Sequence, residues 1–347
     1  MTSLTETKNM SHRTPTMREV AALAQVSIKT VSRVINQEPG VSPELVERVL
    51  DAVKMLDYQH NTTASNLRRA DNRTATIGLI LDDVANPFAS ALHRAVEDVA
   101  WAHDTLVFAG SSDADPRREE KMIVALAARR VDGLIIVPAS NDHHDLQHMQ
   151  RLGRPIVCVD RPSSVHNTDS VTADNRAGAA IAVRHLAAYG HKRIAFLGDL
   201  RSIWTAAERH AGYIEGLAAE GLRLDPRLVR LDLNNSNLAE QVVLELLEAA
   251  EPPTAFFAGQ NLITVGTIRA LQRRGLQHHV ALVGFDDFTL ADLLAPPVTV
   301  VAQDPVAIGR AAAEQLFARL AADSQPLQHI VVPTQLVPRG SGEIPAR

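Results

Sequence analysis

Cysteine, aromatic side chains and long apolar runs are all scarce in this chain. Cys158 is the only cysteine, so neither an intramolecular disulfide nor a multi-cysteine zinc site can form, which suits a reducing compartment. Aromatic residues make up 4% of the chain against 46% apolar residues overall, so its cores must be aliphatic. No stretch reaches the roughly 18 consecutive apolar residues of a membrane span. The polar start Met1–Met10 also lacks the apolar segment of a secretory signal, and a cytoplasmic protein without a membrane partner is expected. Catalytic signatures are missing as well. There is no glycine-rich phosphate loop, no Gly-x-Ser-x-Gly turn and no His-Glu-x-x-His, so we expect no catalytic residue, no cofactor and no enzyme activity. His144 and His148 stand four apart in a polar run, a spacing that suits a metal. Exposed histidines account for the run better, and no metal is expected.

What is present begins with length and charge. A chain of 347 residues is too long for one ordinary core and suits a small module joined to a larger, divided one. Residues 1–70 hold nine Lys/Arg and seven Asp/Glu, whereas the remainder hold 26 and 33. A mildly basic end on an acidic body fits a headpiece that meets phosphate, although an ordinary solvated surface also carries such an imbalance.

Residue order is more informative. Residues 1–14 are polar and aperiodic and read as a disordered tail. Thr16 and Glu19 form a capping box at the start of a helix through about Ala24. Ser27 caps a second helix, Ile28 to Asn36, with Val31 and Val34 on its inner side. Ser42 and Pro43 open a third, with Leu45, Val49, Ala52, Val53 and Leu56 at helical spacing. From Ala75 onward, short apolar runs alternate with long amphipathic stretches, the pattern of βαβ units in a buried parallel sheet. The runs are Ile77–Leu81, Leu106–Ala109, Gly133–Val137, Ile156–Val159, Ile194–Gly198, Ala255–Ala258 and Val280–Gly284. Several end in Asp82, Asp160, Asp199 or Asp286, at the strand end where open α/β sheets bind ligands. Asp199 reads more simply as a cap for the following helix.

The segment Thr16–Asn36 contains Val-Ala, then Val-Ser, two further residues and Thr-Val-Ser-Arg-Val. In this it resembles the helix-turn-helix of the lactose/galactose repressor family of bacterial transcription regulators, with Gln25 where that family usually has Gly in the turn. A recognition helix needs short hydroxylated residues for phosphates and longer donors for base edges. Ser27, Thr30 and Ser32 suit the first task, and Ile28, Lys29 and Arg33 the second, with Ile28 placed for a thymine methyl. The resemblance adds Thr16, Asn36 and Ser42 as phosphate contacts. Tyr58–Arg69 resembles the family's hinge, His60 replacing a usual proline. It implies that Asn61 and Ala64 belong to a hinge helix and that Leu67 wedges into the minor groove. The other readings are a three-helix interaction module and a flexible linker.

The same resemblance, shared with periplasmic pentose-binding proteins, places a sugar site at Asn86, Phe88, Asp160, Arg161, Arg209, Phe285, Asp286 and Gln303. Carboxylates and amides suit vicinal hydroxyls, Arg forks across two oxygens, and aromatic faces cover a sugar ring. Trp204, in the loop after a strand, is a further aromatic candidate. Gln260-Asn261 stands where the family usually shows Asn-Asp, which removes one carboxylate. A phosphorylated sugar, a nucleobase or a protein partner are the other effectors considered, and a solute-binding protein is the rival from another class.

The implied fold is an all-α helix-turn-helix headpiece plus an α/β core of two parallel-sheet lobes, periplasmic-binding-protein-like. The expected boundaries are 15–60 for the headpiece, 61–73 for hinge helix and linker, and 74–340 for the core. Within the core, lobe 1 takes 74–163 and 294–322, and lobe 2 takes 164–293 and 323–340, with three crossings between them; 341–347 is a tail. Two headpieces imply a homodimer on a pseudo-palindromic operator. No heptad-bearing tail follows, so a tetramer built through one is not expected.

Overall fold

Residues 15–36, 38–58, 73–139, 144–162, 168–322 and 325–346 are described in the computed structural model, with the backbone alone at 144 and 145. They fall into two units, 1–74 and 75–347. In the first, the Thr16 hydroxyl accepts from Glu19 N at 3.4 Å while Thr16 N donates to Glu19 Oε2 at 2.6 Å, and this reciprocal cap opens α1, Met17–Ala24. Gln25 ends α1 in the left-handed region, φ 53° and ψ 44°, so a side chain occupies a turn that favours glycine. Ser27 then caps α2, Ile28–Ile35, and Ser42 caps α3, Pro43–Met55. Val20, Ala21 and Ala24 of α1 pack with Val31 and Val34 of α2 and with Val49 and Ala52 of α3. Leu45, Val53 and Leu56 are only half-buried.

The second unit contains two six-stranded sheets. Lobe 1 is built on β1 (Thr76–Leu81), β2 (Leu106–Ser111), β3 (Gly133–Ile136), β4 (Ile156–Val159), β5 (Asp169–Ala173) and β11 (His329–Val332), in the order β11-β5-β4-β3-β1-β2. Lobe 2 is built on β6 (Ile194–Leu197), β7 (Val229–Arg230), β8 (Ala255–Ala258), β9 (Ala281–Phe285), β10 (Thr299–Ala302) and β12 (Gln335–Val337), in the order β12-β10-β9-β8-β6-β7. Every pairing is parallel except β10 with β12. The inner strands other than β5 are largely apolar because helices cover both sheet faces and leave little room for polar residues. Those of lobe 1 are α4 (Pro87–Ala102), α5 (Pro116–Ala128) and α6 (His144–Arg151). Lobe 2 has α7 (Asn175–Ala188), α8 (Trp204–Ala219), α9 (Ser236–Leu247) and α10 (Asn261–Arg274). A final helix, α11 (Pro305–Leu320), follows β10 of lobe 2 but buries Ile308, Ala312 and Leu316 in the core of lobe 1.

Several expected boundaries change. β5 belongs to lobe 1 rather than lobe 2, β10 to lobe 2 rather than lobe 1, and β11 to lobe 1 rather than lobe 2. The physical reason is visible in β5, whose Asp-Ser-Val-Thr-Ala is too polar to read as a buried strand. Asp169 is satisfied by Arg319 at 2.8 Å and by Gln328 N, and Ser170 by His329 at 2.8 Å, all from about 150 residues further along the chain. The Leu106 run is an edge strand, with Leu106 59% and Phe108 44% exposed. Residues expected as a tail are instead part of lobe 2. The Ser341 hydroxyl donates to Leu282 O at 2.6 Å and accepts from Thr299 N at 2.9 Å, and Ile344 O meets His191 Nε2 at 2.7 Å.

Candidate functional site

On the first unit, burying Val31 and Val34 turns the other side of α2 outward, and Ser27, Ile28, Lys29 and Asn36 are exposed there. Ile28 is 43% exposed, a large apolar side chain facing water beside Lys29. The Ser27 and Thr30 hydroxyls lie 2.9 Å apart, and Ser32 Oγ accepts from Asn36 Nδ2 at 3.4 Å. Arg33 is folded back, donating to Pro39 O at 3.2 Å and standing 3.5 Å from Glu38, so reaching a base requires it to leave these partners. Thr16 and Ser42 are exposed at the N-termini of α1 and α3, which they cap, the Glu19 carboxylate also bonding Thr16 N at the first. Asn61, Ala64 and Leu67 lie outside the described residues. So does the side chain of His144, and no group of three metal-ligating side chains occurs among the described residues.

In the second unit, polar groups collect at the carboxyl ends of the strands. Asp160 follows β4 and Asp286 follows β9, both with positive φ, 65° and 69°. Each donates its amide to the next strand of its own sheet, Asp160 N to Val171 O at 3.0 Å and Asp286 N to Val301 O at 2.9 Å. This shared geometry holds a carboxylate at equivalent points of the two lobes. Arg161 pairs with Asp82, donates to Pro138 O at 3.1 Å and lies 3.5 Å from Asp160. Arg209, on α8, donates to Asn175 Oδ1 at 2.7 Å and to Gly259 O at 2.8 Å, and approaches Asp286 at 3.5 Å. Its guanidinium lies 3.9 Å over the Phe285 ring. Gln303 donates to Asp286, and Gln260 donates to Asp199 at 3.2 Å. A bond between described residues spans the lobes directly: Asn261 Nδ2 donates to Asn86 Oδ1 at 3.1 Å.

The electrostatics are those of carboxylates drawn together. Burial pushes Asp82 up to about 6, with Arg161 pulling the other way and Asp160 and Asp199 adding repulsion. Burial also raises Asp160, against the pull of Arg161 and Arg209, and raises Asp199. Asp82 Oδ1, Arg161 Nε and Gln303 Oε1 are buried without a hydrogen-bond partner. Buried polar atoms are rarely left without a hydrogen bond, and here two acceptors and one donor are, the donor standing 3.5 Å from Asp160 Oδ2.

Asp160, Arg161, Arg209, Asp286 and Gln303 therefore meet in one cluster, with Asn86 and Gln260 bonded at its rim. The three aromatic candidates have different surroundings. Phe285 is fully buried and supports Arg209 from below, Phe88 packs against the lobe 1 core, and half-buried Trp204 is the first residue of α8 rather than part of a loop. Asp199 does not cap that helix. The cap is Ile203, which makes no side-chain bond, while Asp199 accepts from Leu200 N and Gln260 and joins the carboxylate cluster. Asp82, Asn175 and Asn261 also belong to the site. Asp82 carried a sequence signal as a strand-end carboxylate, whereas Asn175 shows its part only once α7 is packed against α8.

Comparison with known proteins matches both units. A sequence profile described as bacterial regulatory proteins, lacI family, matches residues 16–61, and one described as a periplasmic binding protein-like domain matches residues 183–342. Catabolite control protein A of Priestia megaterium is 33% identical over 301 residues, which is 86% of this chain and 90% of that protein. Among solved structures, the complex of the transcriptional regulator CelR with cellobiose superposes with a TM-score of 0.71 at 31% identity, covering 94% of this chain and 99% of that one. The lac repressor dimer bound to operator and the anti-inducer ONPF gives 0.83 at 25% identity, covering 95% and 99%. Headpiece, core and order along the chain agree throughout, and the chain belongs to the lacI family of bacterial regulatory proteins, DNA-binding transcription regulators with a helix-turn-helix headpiece.

Proposed function

We propose that the protein is a cytoplasmic homodimeric repressor whose affinity for a pseudo-palindromic operator is set by a small sugar or polyol bound between the lobes of its core. The observation that carries this reading is that Asp82 Oδ1, Arg161 Nε and Gln303 Oε1 are buried without a hydrogen bond in a cluster drawn from both lobes. Ring hydroxyls, each both donor and acceptor, satisfy such a mixed set. Four carboxylates, Asp82, Asp160, Asp199 and Asp286, face two guanidiniums, Arg161 and Arg209, a balance that disfavours a phosphorylated sugar. The relative CelR was solved with cellobiose, which supports a carbohydrate.

On the DNA, Lys29 and Arg33 read guanine edges and Ile28 a thymine methyl. Ser27, Thr30, Ser32, Asn36, Thr16 and Ser42 position the backbone, and Asn61, Ala64 and Leu67 act in the minor groove. In the core, Asp160, Arg161, Arg209, Asp286 and Gln303 hold the sugar, with Asn86 and Gln260 at the rim and Phe88 and Trp204 as apolar walls. The core performs no chemistry on its ligand. Trp204 offers a direct test, once exposed Trp101 is replaced by Phe to remove background fluorescence. Titration with pentoses, hexoses and polyols should give a saturable change with one of them that Arg209→Ala abolishes. A flat response to the whole panel would overturn the sugar reading.

A further inference from the structure

Away from the cleft, at the amino end of β6, lobe 2 contains a cavity of about 330 Å³. That volume lies within the range of pockets that take small organic ligands, about 300–1,000 Å³. Its floor is apolar, made by Ile194, Leu217, Leu222 and Leu228 with the edge of Tyr213. Its rim is basic, with Lys192, Arg193 and Arg223 against a single carboxylate, Asp225. Arg193 is fixed by Pro252 O at 3.3 Å and by Glu251 O, and Asp225 is occupied by Arg227 at 2.9 Å. Lys192 and Arg223 make no hydrogen bond or ion pair among the described residues. Arg193 also stands 3.6 Å from Asp225 and 3.6 Å from Glu251, which leaves Lys192 and Arg223 to set the sign of the rim. The carboxyl end of α8 points toward this region, but its dipole amounts to roughly half a negative charge and is outweighed by these two cations. This basic pocket belongs to a body whose residues beyond 70 carry 26 basic against 33 acidic side chains, so its sign runs against its surroundings.

We propose that this cavity is a second ligand site, which takes a nucleoside monophosphate, a phosphate ester that carries a flat heteroaromatic ring. The ring would lie on the leucine floor while Lys192 and Arg223 hold the phosphate. Tyr213 and Leu217 line the cavity from α8, and Arg209 reaches the cleft cluster from one turn earlier on the same helix. A ligand here therefore bears on the helix that positions Arg209.

Calorimetric titration of the full-length protein with adenosine monophosphate tests the assignment, with inorganic phosphate and glucose 6-phosphate as comparisons. We expect saturable binding of the nucleotide, at least about tenfold tighter than either comparison because only it buries an aromatic face on the leucine floor. The double variant Lys192→Glu/Arg223→Glu changes two exposed side chains and should weaken binding at least about tenfold. No saturable binding to the unsubstituted protein, equal binding by the double variant, or tighter binding of glucose 6-phosphate overturns the proposal. None of these results bears on the sugar cleft, which the tryptophan titration tests separately.

Discussion

The Arg209 guanidinium donates to Asn175 and Gly259 and rests on Phe285, so cutting it back to alanine leaves the Asp286 carboxylate buried without its cation. Removing one member of a buried pair typically costs about 3–5 kcal/mol. We expect Arg209→Ala to lower the stability of the core by that order in urea unfolding. Arg209→Lys should recover only part, because an ammonium cannot reach all three partners at once. Equal stability of all three proteins would remove Arg209 from the centre of the site. Asp82 gives a pH prediction. Its folded value, about 6, lies above the ordinary 3.8, so the native state holds the proton more tightly than the unfolded chain. Its stabilising contribution is complete below about pH 4 and is lost as pH rises through about 6. The unsubstituted protein should therefore gain urea midpoint relative to Asp82→Asn as pH falls across this window, and parallel profiles would contradict the raised value. At this scale the sequence signals Asp160, Asp286 and Asp82 as strand-end acids. It cannot show that Asp199 turns to Gln260, or that Phe285 lies under Arg209, because both depend on how lobe 2 packs.

Among the elements, the headpiece helices were legible because their caps are local: Thr16 with Glu19, Ser27, and Ser42 with Pro43 each satisfy amides within three residues. The strands β5, β10 and β11 were not. Asp169 and Ser170 of β5 find their partners in Arg319 and His329, far along the chain, and no local pattern announces that pairing. The turn at Gln25 shows a local rule broken but tolerated. A non-glycine residue in the left-handed region costs about 1–2 kcal/mol, partly offset by the freedom glycine adds to the unfolded chain. Gln25→Gly should therefore slow amide exchange at Val31 and Val34, corresponding to about 0.5–1 kcal/mol of added headpiece stability; faster exchange would mean that the Gln side chain contributes more than its backbone costs. In lobe 2, α7 and α8 approach so closely at Gly212 that a β-carbon there would run into the Arg176 carbonyl oxygen and the Ala179 side chain. Gly212→Ala must push the helices apart and should cost about 3 kcal/mol in chemical unfolding. It should also weaken any ligand response through Arg209, one turn away. A neutral effect on both would show that the contact yields more easily than its geometry implies.

For the whole molecule, the question is whether two units with opposite surface charge work as one device. Lysines and arginines of the headpiece that meet phosphate release counterions, so operator affinity should fall as salt rises. The core predicts that ligand adds a coupling of about 1–3 kcal/mol, or about 5–150-fold in affinity. The decisive measurement is binding of the full-length protein to DNA fragments from around its own gene, at fixed salt, with and without a panel of pentoses, hexoses and polyols. The account predicts specific binding that one carbohydrate shifts by that factor and that Arg209→Ala renders unresponsive. Specific binding that no carbohydrate moves would contradict the link between cleft and headpiece.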